Sequence, residues 1–208
     1  MVLMSDTHEQ HRKVDVPDGD LLIHAGDFTY FNRSPSAVRD FNQWLHSMPH
    51  KYKVVIPGNH ESRPGGPAWR EQITGAVVLI NEGIELAGLR IWSSPVTPGD
   101  WGAFGSGTED ELERAYARIP DVTDVLITHG PPFGILDLQS DSDEPQGCRQ
   151  LLEAVRRVTP RLHVFGHIHP SYGMVCSGGT TFVNAALAGP GYGVTKRPIT
   201  FAIASTVA

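Results

Sequence analysis

The stretch Leu162-His163-Val164-Phe165-Gly166-His167-Ile168-His169 joins a short, mainly apolar run to a glycine and two further histidines. A short apolar run bounded by turn residues is typical of a buried β-strand. The glycine at 166 tolerates positive φ and therefore allows a tight turn after the strand. The two histidines are thus expected at the carboxyl end of a strand, which is the end that faces the binding crevice in open α/β sheets.

Four other apolar runs end in polar clusters of the same kind. Val2–Met4 leads into Ser5-Asp6-Thr7-His8, Leu21–Ala25 into Gly26-Asp27, Lys53–Ile56 into Pro57-Gly58-Asn59-His60-Glu61, and Val125–Thr128 into His129-Gly130. If the five strands lie side by side, their carboxyl ends bring these polar side chains together. Each cluster alone is a weak signal, because a lone Asp-x-His is usually a turn. The information lies in the ordered set.

Strands alternate with helices along the chain. Further strands are predicted at Val77–Ile80, Leu89–Trp92, Gly173–Cys176, Thr180–Val183 and Ile199–Ala204. Helices are predicted after Ser34, where proline follows at the first helical position, after the capping box Thr108-x-x-Glu111, and over 147–158. This alternation indicates an α/β protein. We expect a single domain over residues 1–208, because the polar clusters extend from residue 6 to residue 169.

The composition argues against several classes of protein. The 208 residues include 17 basic and 23 acidic ones with no strongly basic stretch, which disfavours a dedicated nucleic-acid binder. No apolar run approaches the ~20 residues that a membrane-spanning helix needs, and no targeting segment precedes Asp6. We therefore expect a cytoplasmic protein without membrane contact, in which Cys148 and Cys176 are reduced, buried thiols. The sequence does not predict the oligomeric state.

The clustered residues provide imidazoles, carboxylates and one amide oxygen. This ligand set suits divalent Mn, Fe, Co, Ni or Zn, and it disfavours soft copper or an all-oxygen calcium site. The seven candidate ligands are too many for one catalytic ion with an open position, but they fit two ions that share a bridging carboxylate. Two ions ~3.5–4 Å apart can contact both the attacking and the leaving oxygen of a displacement at phosphorus.

The order of the motifs identifies a family. Asp-x-His, Gly-Asp, Gly-Asn-His-Glu, His and Gly-His-x-His follow one another between residues 5 and 169. This order resembles the signature of the calcineurin-like metallophosphoesterases at every position. The resemblance implies a four-layer α/β/β/α sandwich with a dinuclear metal site at the top of the two sheets.

The same resemblance implies a role for each clustered residue. The first metal is expected to bind Asp6, His8, Asp27 and His169, and the second to bind Asp27, Asn59, His129 and His167. Asp27 would bridge the two ions, of which manganese is the favoured identity. His60 is similar to a family histidine that faces the phosphate without binding metal.

A closer resemblance is carried by three stretches, Gly19–Thr29, Thr128–Pro132 and Leu162–His169. They look like the branch that includes the metallophosphoesterase-domain-containing brain proteins. Some vertebrate members of that branch have glycine at the position of His167, whereas this chain has the complete ligand set. A non-catalytic binding scaffold, the alternative for relatives that have lost ligands, is therefore disfavoured.

The predicted reaction is hydrolysis of a phosphate ester on a small phosphoester or nucleotide. The resemblance favours phosphodiesters such as small cyclic nucleotides; phosphomonoesters and nucleotide pyrophosphates are the alternative, because one dinuclear core serves all of them. A hydroxide bridging the two metals would attack phosphorus in line with the leaving oxygen, since coordination lowers the pKa of water toward ~7. His60 would stabilise the charged transition state or protonate the leaving group.

Other polar and aromatic residues are expected to have supporting or peripheral roles. Glu61 should support the site by hydrogen bonding, and His163 is either a partner of a ligand or a core residue. His11, His46, His50 and Asp137 are expected to be solvated, the loop Gln139–Gln146 to be exposed, and Trp101 and Phe104 are candidates to border the cleft.

Overall fold

The first of two stacked β-sheets holds three of the predicted site-bearing strands. The structure is a computed structural model that describes residues 1–31, 35–61, 69–99, 102–140 and 142–204. The strands of the first sheet are β1 (Val2–Met4), β2 (Leu21–His24), β3 (Tyr52–Val55), β4 (Val77–Val78) and β13 (Ile199–Thr200). They lie in the order β13-β1-β2-β3-β4, with β13 antiparallel to β1 and the rest parallel. The carboxyl ends of β1, β2 and β3 therefore share one edge.

The second sheet holds the other two site-bearing strands. Its strands are β5 (Gly83–Leu86), β6 (Leu89–Ser94), β9 (Val125–Thr128), β10 (Leu162–Phe165), β11 (Gly173–Ser177) and β12 (Thr180–Asn184), and a separate pair is formed by β7 (Thr97–Pro98) and β8 (Gly105–Ser106). The order is β11-β12-β10-β9-β6-β5, in which the four inner strands are parallel and the two edge strands antiparallel. An isolated bridge between Ser5 and Ala186 joins the two sheets near the site.

Three apolar clusters define four layers. One cluster fills the space between the sheets with residues such as Ile23 and Val54 from the first and Ile127 and Val164 from the second. The helices α1 (Pro35–Ser47) and α2 (Trp69–Gln72) cover the outer face of the first sheet, and α3 (Glu109–Ala117) and α4 (Arg149–Val158) cover that of the second. Burial on both faces explains why the parallel strands are nearly continuous apolar runs. The expected α/β/β/α sandwich is confirmed.

Helix starts and strand lengths follow the predictions with a few differences. The Thr108 side chain accepts a hydrogen bond from the backbone N–H of Glu111, as the capping box requires. The predicted cap Ser34 lies outside the described residues. The antiparallel edge strand β5 was not predicted, and β13 is shorter than the expected strand, since its ladder covers Ile199 and Thr200 alone.

Several single-residue expectations were wrong. His11 and His50 are buried rather than solvated, because their ring nitrogens bond the Asp40 carboxylate and the Pro17 carbonyl. Asp137 is also buried, and its Oδ2 accepts the N–H groups of two glycines at 2.8 Å. Of the two free cysteines, Cys148 is buried as expected, whereas Cys176 is exposed on the edge strand β11. In the described ranges, no helix combines the length and apolar character needed to cross a bilayer.

Candidate metal centre

The site lies where the carboxyl ends of five strands from both sheets converge. The residues that follow β1, β2 and β10 leave their strands through left-handed backbone conformations: φ is 54° at Asp6, 40° at His8, 55° at Asp27 and 67° at His167. Such angles cost a non-glycine residue about 1–3 kcal/mol each and persist where the surrounding structure enforces them. These sharp turns direct successive polar side chains into one cleft.

One group of candidate ligands comes from β1 and β10. Asp6, His8 and His169 offer one atom each, all within 4.8 Å of one another. His169 Nε2 lies 3.1 Å from Asp6 Oδ1 and 3.4 Å from His8 Nε2. The two imidazole nitrogens and the carboxylate oxygen thus face a common point, as expected for the first metal.

A second group comes from β2, β3, β9 and β10. Asp27, His129 and His167 also form a set within 4.8 Å. The side-chain oxygen of Asn59 lies 2.9 Å from His129 Nε2 and 3.0 Å from His167 Nδ1. These are the four residues expected to bind the second metal, so the structure brings together all seven candidate ligands.

Hydrogen bonds orient two of the imidazoles toward the cleft. His129 Nδ1–H donates to the Ala25 carbonyl at 2.9 Å, and His8 Nδ1–H donates to the Thr29 carbonyl at 3.3 Å. Each bond leaves Nε2 as the nitrogen with the free lone pair, and such bonds commonly fix the tautomer of metal-binding histidines. Both rings can therefore present a ligand nitrogen without rearrangement.

Asp27 occupies the position between the two groups. Its Oδ2 lies 3.3 Å from His129 Nε2 and 3.8 Å from His60 Nε2, while its Oδ1 accepts the backbone N–H of His60 at 2.9 Å. Asp27 also forms a third set with His8 and His60, again within 4.8 Å. The geometry suits a shared carboxylate, and it also places His60 within reach of a cation.

The charges of the metal-free site favour a cation. Burial alone would raise the pKa of Asp27, but the positive charge of His129 outweighs it and lowers that pKa to about 2. Burial also opposes ionisation of Asp6, yet the hydrogen bond from His169 lowers the Asp6 pKa below its usual range. Burial disfavours a charge on His129, but the facing Asp27 carboxylate raises its pKa to about 10. Two buried carboxylates with lowered pKa values, one of them facing the protonated imidazole of His129, fit a centre in which a metal ion replaces that proton.

Glu61 supports the site as expected. Its carboxylate accepts the backbone N–H groups of Asp27 and Thr29 at 2.9 Å and of Gly58 at 2.6 Å, and the Thr29 hydroxyl at 2.9 Å. Glu61 thereby ties the turn after β2 to the turn after β3. His163, in contrast, bonds the hydroxyl of Thr128 at 2.8 Å rather than a candidate ligand.

Glycine is required in the motifs either because of the backbone conformation or because no space exists for a Cβ atom. Gly26 has φ of +105°, so the conformational argument holds there. Gly58 and Gly166 do not adopt positive φ; a Cβ at either position would overlap the carboxylate of Asp27 or Asp6, respectively. These two glycines therefore make room for the candidate ligands.

A cavity of about 660 Å³ opens beside the candidate ligands. One wall is a hairpin over residues 188–196 that contributes Tyr192 and Lys196, and the opposite side includes Gln139 and Ser140. Sequence reasoning missed these residues, because the hairpin carries no junction between an apolar run and a polar cluster. Of the two aromatic candidates, Trp101 lies outside the described residues and Phe104 is not part of the cavity wall.

Comparisons with known proteins agree with this geometry. The family model described as calcineurin-like phosphoesterase matches residues 2–171. Metallophosphoesterase domain-containing protein 1 of Homo sapiens is 39% identical over 225 residues, covering 95% of this chain and 69% of the human protein. The UPF0046 protein K07C11.7 of Caenorhabditis elegans is 38% identical over 219 residues, covering 98% and 74%.

Solved structures show the same fold at low sequence identity. The phosphopantetheinyl hydrolase of Mycobacterium tuberculosis aligns over 92% of this chain and 90% of its own, with a TM-score of 0.59 and 18% identity. The protein TT1561 of Thermus thermophilus aligns over 88% and 87%, with a TM-score of 0.61 and 12% identity. At these identities the likeness concerns the fold alone.

Proposed function

This chain belongs to the calcineurin-like phosphoesterase family of metal-dependent hydrolases, and from that premise we propose that it cleaves phosphodiesters, with small cyclic nucleotides as the favoured substrates. The observation that carries the proposal is the pair of ligand groups with Asp27 between them. Two divalent ions bound there, with manganese favoured, would polarise the phosphoryl group and activate a water. Asp6, His8 and His169 would hold one ion, Asn59, His129 and His167 the other, and Asp27 both.

The chain's own residues fix the geometry of the reaction. Hydrogen bonds to Ala25 and Thr29 hold the imidazoles of His129 and His8 in place, which lowers the reorganisation needed when substrate binds. His60 stacks on Phe31 with ring centroids 4.0 Å apart, and its Nε2 faces Asp27. We assign His60 to the charge that develops on the phosphoryl or leaving oxygen.

The size of the cavity supports a substrate larger than phosphate. Pockets of roughly 300–1,000 Å³ hold ligands of nucleotide size, and this cavity of about 660 Å³ lies within that range. Phosphomonoesters and nucleotide pyrophosphates are the alternative substrates. A binding scaffold without activity is disfavoured, because every candidate ligand is present and converges on the cleft.

A substrate panel tests the proposal. Protein loaded with Mn²⁺ should hydrolyse bis(p-nitrophenyl) phosphate and 2′,3′- or 3′,5′-cyclic AMP faster than p-nitrophenyl phosphate. Extensive chelation should abolish the activity, and added Mn²⁺ should restore it. Faster hydrolysis of the monoester than of every diester would overturn the diester assignment, and undiminished activity in protein that elemental analysis shows to be metal-free would overturn the metal requirement.

A further inference from the structure

The hairpin over residues 188–196 is built to present side chains to the cavity. Ala188 and Val194 form a bridge, and the backbone N–H of Gly189 donates to the Gly193 carbonyl at 2.7 Å. At its tip Tyr192 has φ of 63°, and the Gln10 side chain donates to the Tyr192 carbonyl at 2.7 Å. Several contacts therefore fix the hairpin beside the candidate metal centre.

Lys196 lies at the base of this hairpin and lines the cavity. Its Nζ donates to the carbonyl of Ala188 at 3.0 Å and to the carbonyl of His169, and it lies 5.4 Å from the centre of the Tyr172 ring. Among the residues that the structure describes, no carboxylate forms an ion pair with it. The Asp6 carboxylate attracts this half-buried ammonium from beyond ion-pair distance, and the two carbonyls replace only part of the hydration that the ammonium has lost.

The described cavity lining away from the candidate ligands carries no negative charge. Apart from Asp27, a candidate ligand, no described residue that lines the cavity carries a carboxylate. The side chains of Gln139, Ser140 and Thr195 are neutral and can donate hydrogen bonds. This lining contrasts with a chain that has 23 acidic and 17 basic residues. The part of the cavity away from the candidate ligands is thus suited to an anion.

We propose that Lys196 selects substrates that carry a second negative charge in addition to the one on a phosphodiester. The inference rests on the proposed function, because it concerns what occupies the cavity while the reacting phosphate lies at the metal centre. The second charge lies either on the reacting phosphate itself, as in a monoester dianion, or on a separate phosphate or carboxylate of the substrate. In both cases a partly dehydrated ammonium attracts the charge more strongly than one in bulk water does.

Matched substrate pairs separate the two sources of charge. We would compare 2′,3′-cyclic AMP with its 5′-phosphorylated form, and bis(p-nitrophenyl) phosphate with p-nitrophenyl phosphate, in the wild type and in Lys196→Met. Methionine is similar in shape to the aliphatic part of lysine and removes the charged Nζ. The variant should lose about tenfold more kcat/KM for the more highly charged member of at least one pair. Lys196→Arg should retain most of the preference.

Controls distinguish recognition from a structural role. Lys51 is an exposed lysine whose Nζ lies 5.0 Å from the centre of the Tyr52 ring, so Lys51→Met is a matched control that should leave both preferences unchanged. If Lys196 only holds the hairpin to the His169 carbonyl, Lys196→Met will lower kcat/KM equally for both members of each pair. That result would overturn the inference while leaving the proposed hydrolysis intact.

A binding measurement decides the inference even if no hydrolysis is detected. The first comparison is a calorimetric titration of Mn²⁺-loaded protein with methylphosphonate and with 3-phosphonopropionate, two non-hydrolysable anions that differ by one distal carboxylate. The second is a titration with methylphosphonate at pH 6 and at pH 9, which compares the singly and doubly charged forms of this ligand. Lys196→Met should weaken the more highly charged ligand selectively in one of these comparisons. Equal weakening in both would overturn the inference, whereas absence of hydrolysis in the wild type would count against the proposed function alone.

Discussion

The imidazole of His60 lies within 4.8 Å of ligand atoms of His8 and Asp27, yet its ring is stacked on Phe31. We predict that His60→Ala keeps the fold and two bound metal ions but loses turnover by roughly 10²–10⁴-fold, the range typical of a positioned acid or charge stabiliser. If His60 is the acid, the loss should be smaller for nitrophenyl esters, because nitrophenolate leaves without a proton. Metal content and kcat on good and poor leaving groups provide the test.

Two results would contradict this assignment of His60. Loss of one metal ion in His60→Ala would make His60 a ligand, a role that its proximity to His8 and Asp27 permits. Turnover at the wild-type rate in His60→Ala would show that His60 has no role in catalysis. His46→Ala is a suitable control, since His46 is exposed on α1.

The proposed bridging role of the Asp27 carboxylate predicts a different effect of substitution. Because Asp27 Oδ2 lies 3.3 Å from His129 Nε2 and a carboxylate oxygen of Asp27 lies within 4.8 Å of a ring nitrogen of His8, Asp27→Asn should weaken binding of both metal ions. His169→Ala should weaken mainly the first site, and His167→Ala mainly the second. Metal titration of the three variants compares the affinities, and two ions bound to Asp27→Asn with wild-type affinity would exclude a bridging role.

The sequence could predict ligands but not the residues that surround a substrate. Each candidate ligand lies within a few residues after an apolar strand, so local pattern and strand polarity indicated the cluster, whereas the role of each ligand was implied by the family resemblance. Tyr192 and Lys196 belong to a hairpin whose position depends on long-range contacts, such as the bond from Gln10 to the Tyr192 carbonyl. Similarly, the need for glycine at 58 and 166 arises from side chains of other strands, which no local pattern contains.

At the scale of elements, the ion pair between Arg90 and Asp124 links β6 to the residue that precedes β9. Asp124 is buried and accepts the backbone N–H of Arg90 at 2.9 Å and its Nε–H at 2.8 Å. Asp124→Asn should therefore destabilise the protein by about 1 kcal/mol, a value discounted because the Arg90 side chain is half exposed. Glu153→Gln, which removes an exposed pair with Arg156, should change stability by no more than a few tenths of a kcal/mol.

This ion pair also predicts a pH dependence. The hydrogen bonds from Arg90 lower the pKa of Asp124 below its ordinary value of 3.8. The pair therefore stabilises the fold fully at neutral pH, and its contribution is lost as the pH falls below 3.8 toward the lowered pKa. The difference in unfolding free energy between wild type and Asp124→Asn should shrink over that interval in denaturant titrations. A difference that is the same at pH 7 and pH 3 would contradict the assignment.

Edge strands account for some of the element-level differences between prediction and structure, and the helix α2 and the pair β7 and β8 were also not predicted. The inner strands β2, β9 and β10 are buried along their whole length, so their apolar runs are easy to recognise. The edge strand β5 alternates between exposed and half-buried residues, and a four-residue alternation without a strong apolar face resembles a loop. The strand β11 is mostly exposed and was predicted through its short turn to β12.

At the scale of the whole molecule, each of the two sheets contains one buried histidine that bonds a threonine hydroxyl. His24 Nε2 lies 3.0 Å from the Thr7 hydroxyl, and His163 Nε2 lies 2.8 Å from the Thr128 hydroxyl. Burial lowers the pKa of each imidazole to about 3. Both rings are therefore neutral in the folded state at any pH well above that value, whereas in the unfolded chain they take up a proton below the ordinary pKa of 6.5.

The unfolding free energy should consequently fall as the solution is acidified. The lowered pKa means that the unfolded state binds more protons between pH 6.5 and about 3, so each histidine removes about 1.4 kcal/mol per pH unit in that interval. His163→Gln should retain a hydrogen bond to Thr128. The variant should also reduce the slope of the unfolding free energy against pH by the contribution of one proton. Denaturant titrations at pH 7, 6, 5 and 4 compare the slopes, and identical slopes for wild type and variant would refute the prediction.

The division of the strands into two sheets could not be derived from the strand pattern. Alternating strands and helices indicate an α/β protein, but this pattern does not reveal that the strands form two sheets packed face to face, β1–β4 with β13 in one and β5, β6 and β9–β12 in the other. That arrangement was implied by the family resemblance and is supported by the central apolar cluster, which draws residues such as Ile23 and Val164 from both sheets. The distribution of buried side chains between the two faces of a strand depends on its neighbours, which are distant in sequence.

The pairing of β13 with β1 has a consequence for biosynthesis. Val2 pairs with Thr200, and the N–H of Phe201 donates to the carbonyl of Met1, so β1 pairs with a strand that is synthesised much later than β1 itself. Chains emerge at roughly 5–20 residues per second, and the interval between these two strands is therefore on the order of 10 seconds or more. During that time β1, which precedes Asp6 and His8, has one edge without its final neighbour. All candidate ligands precede β13 in the chain, so the neighbour that completes this edge of β1 is synthesised only after the last of them, His169.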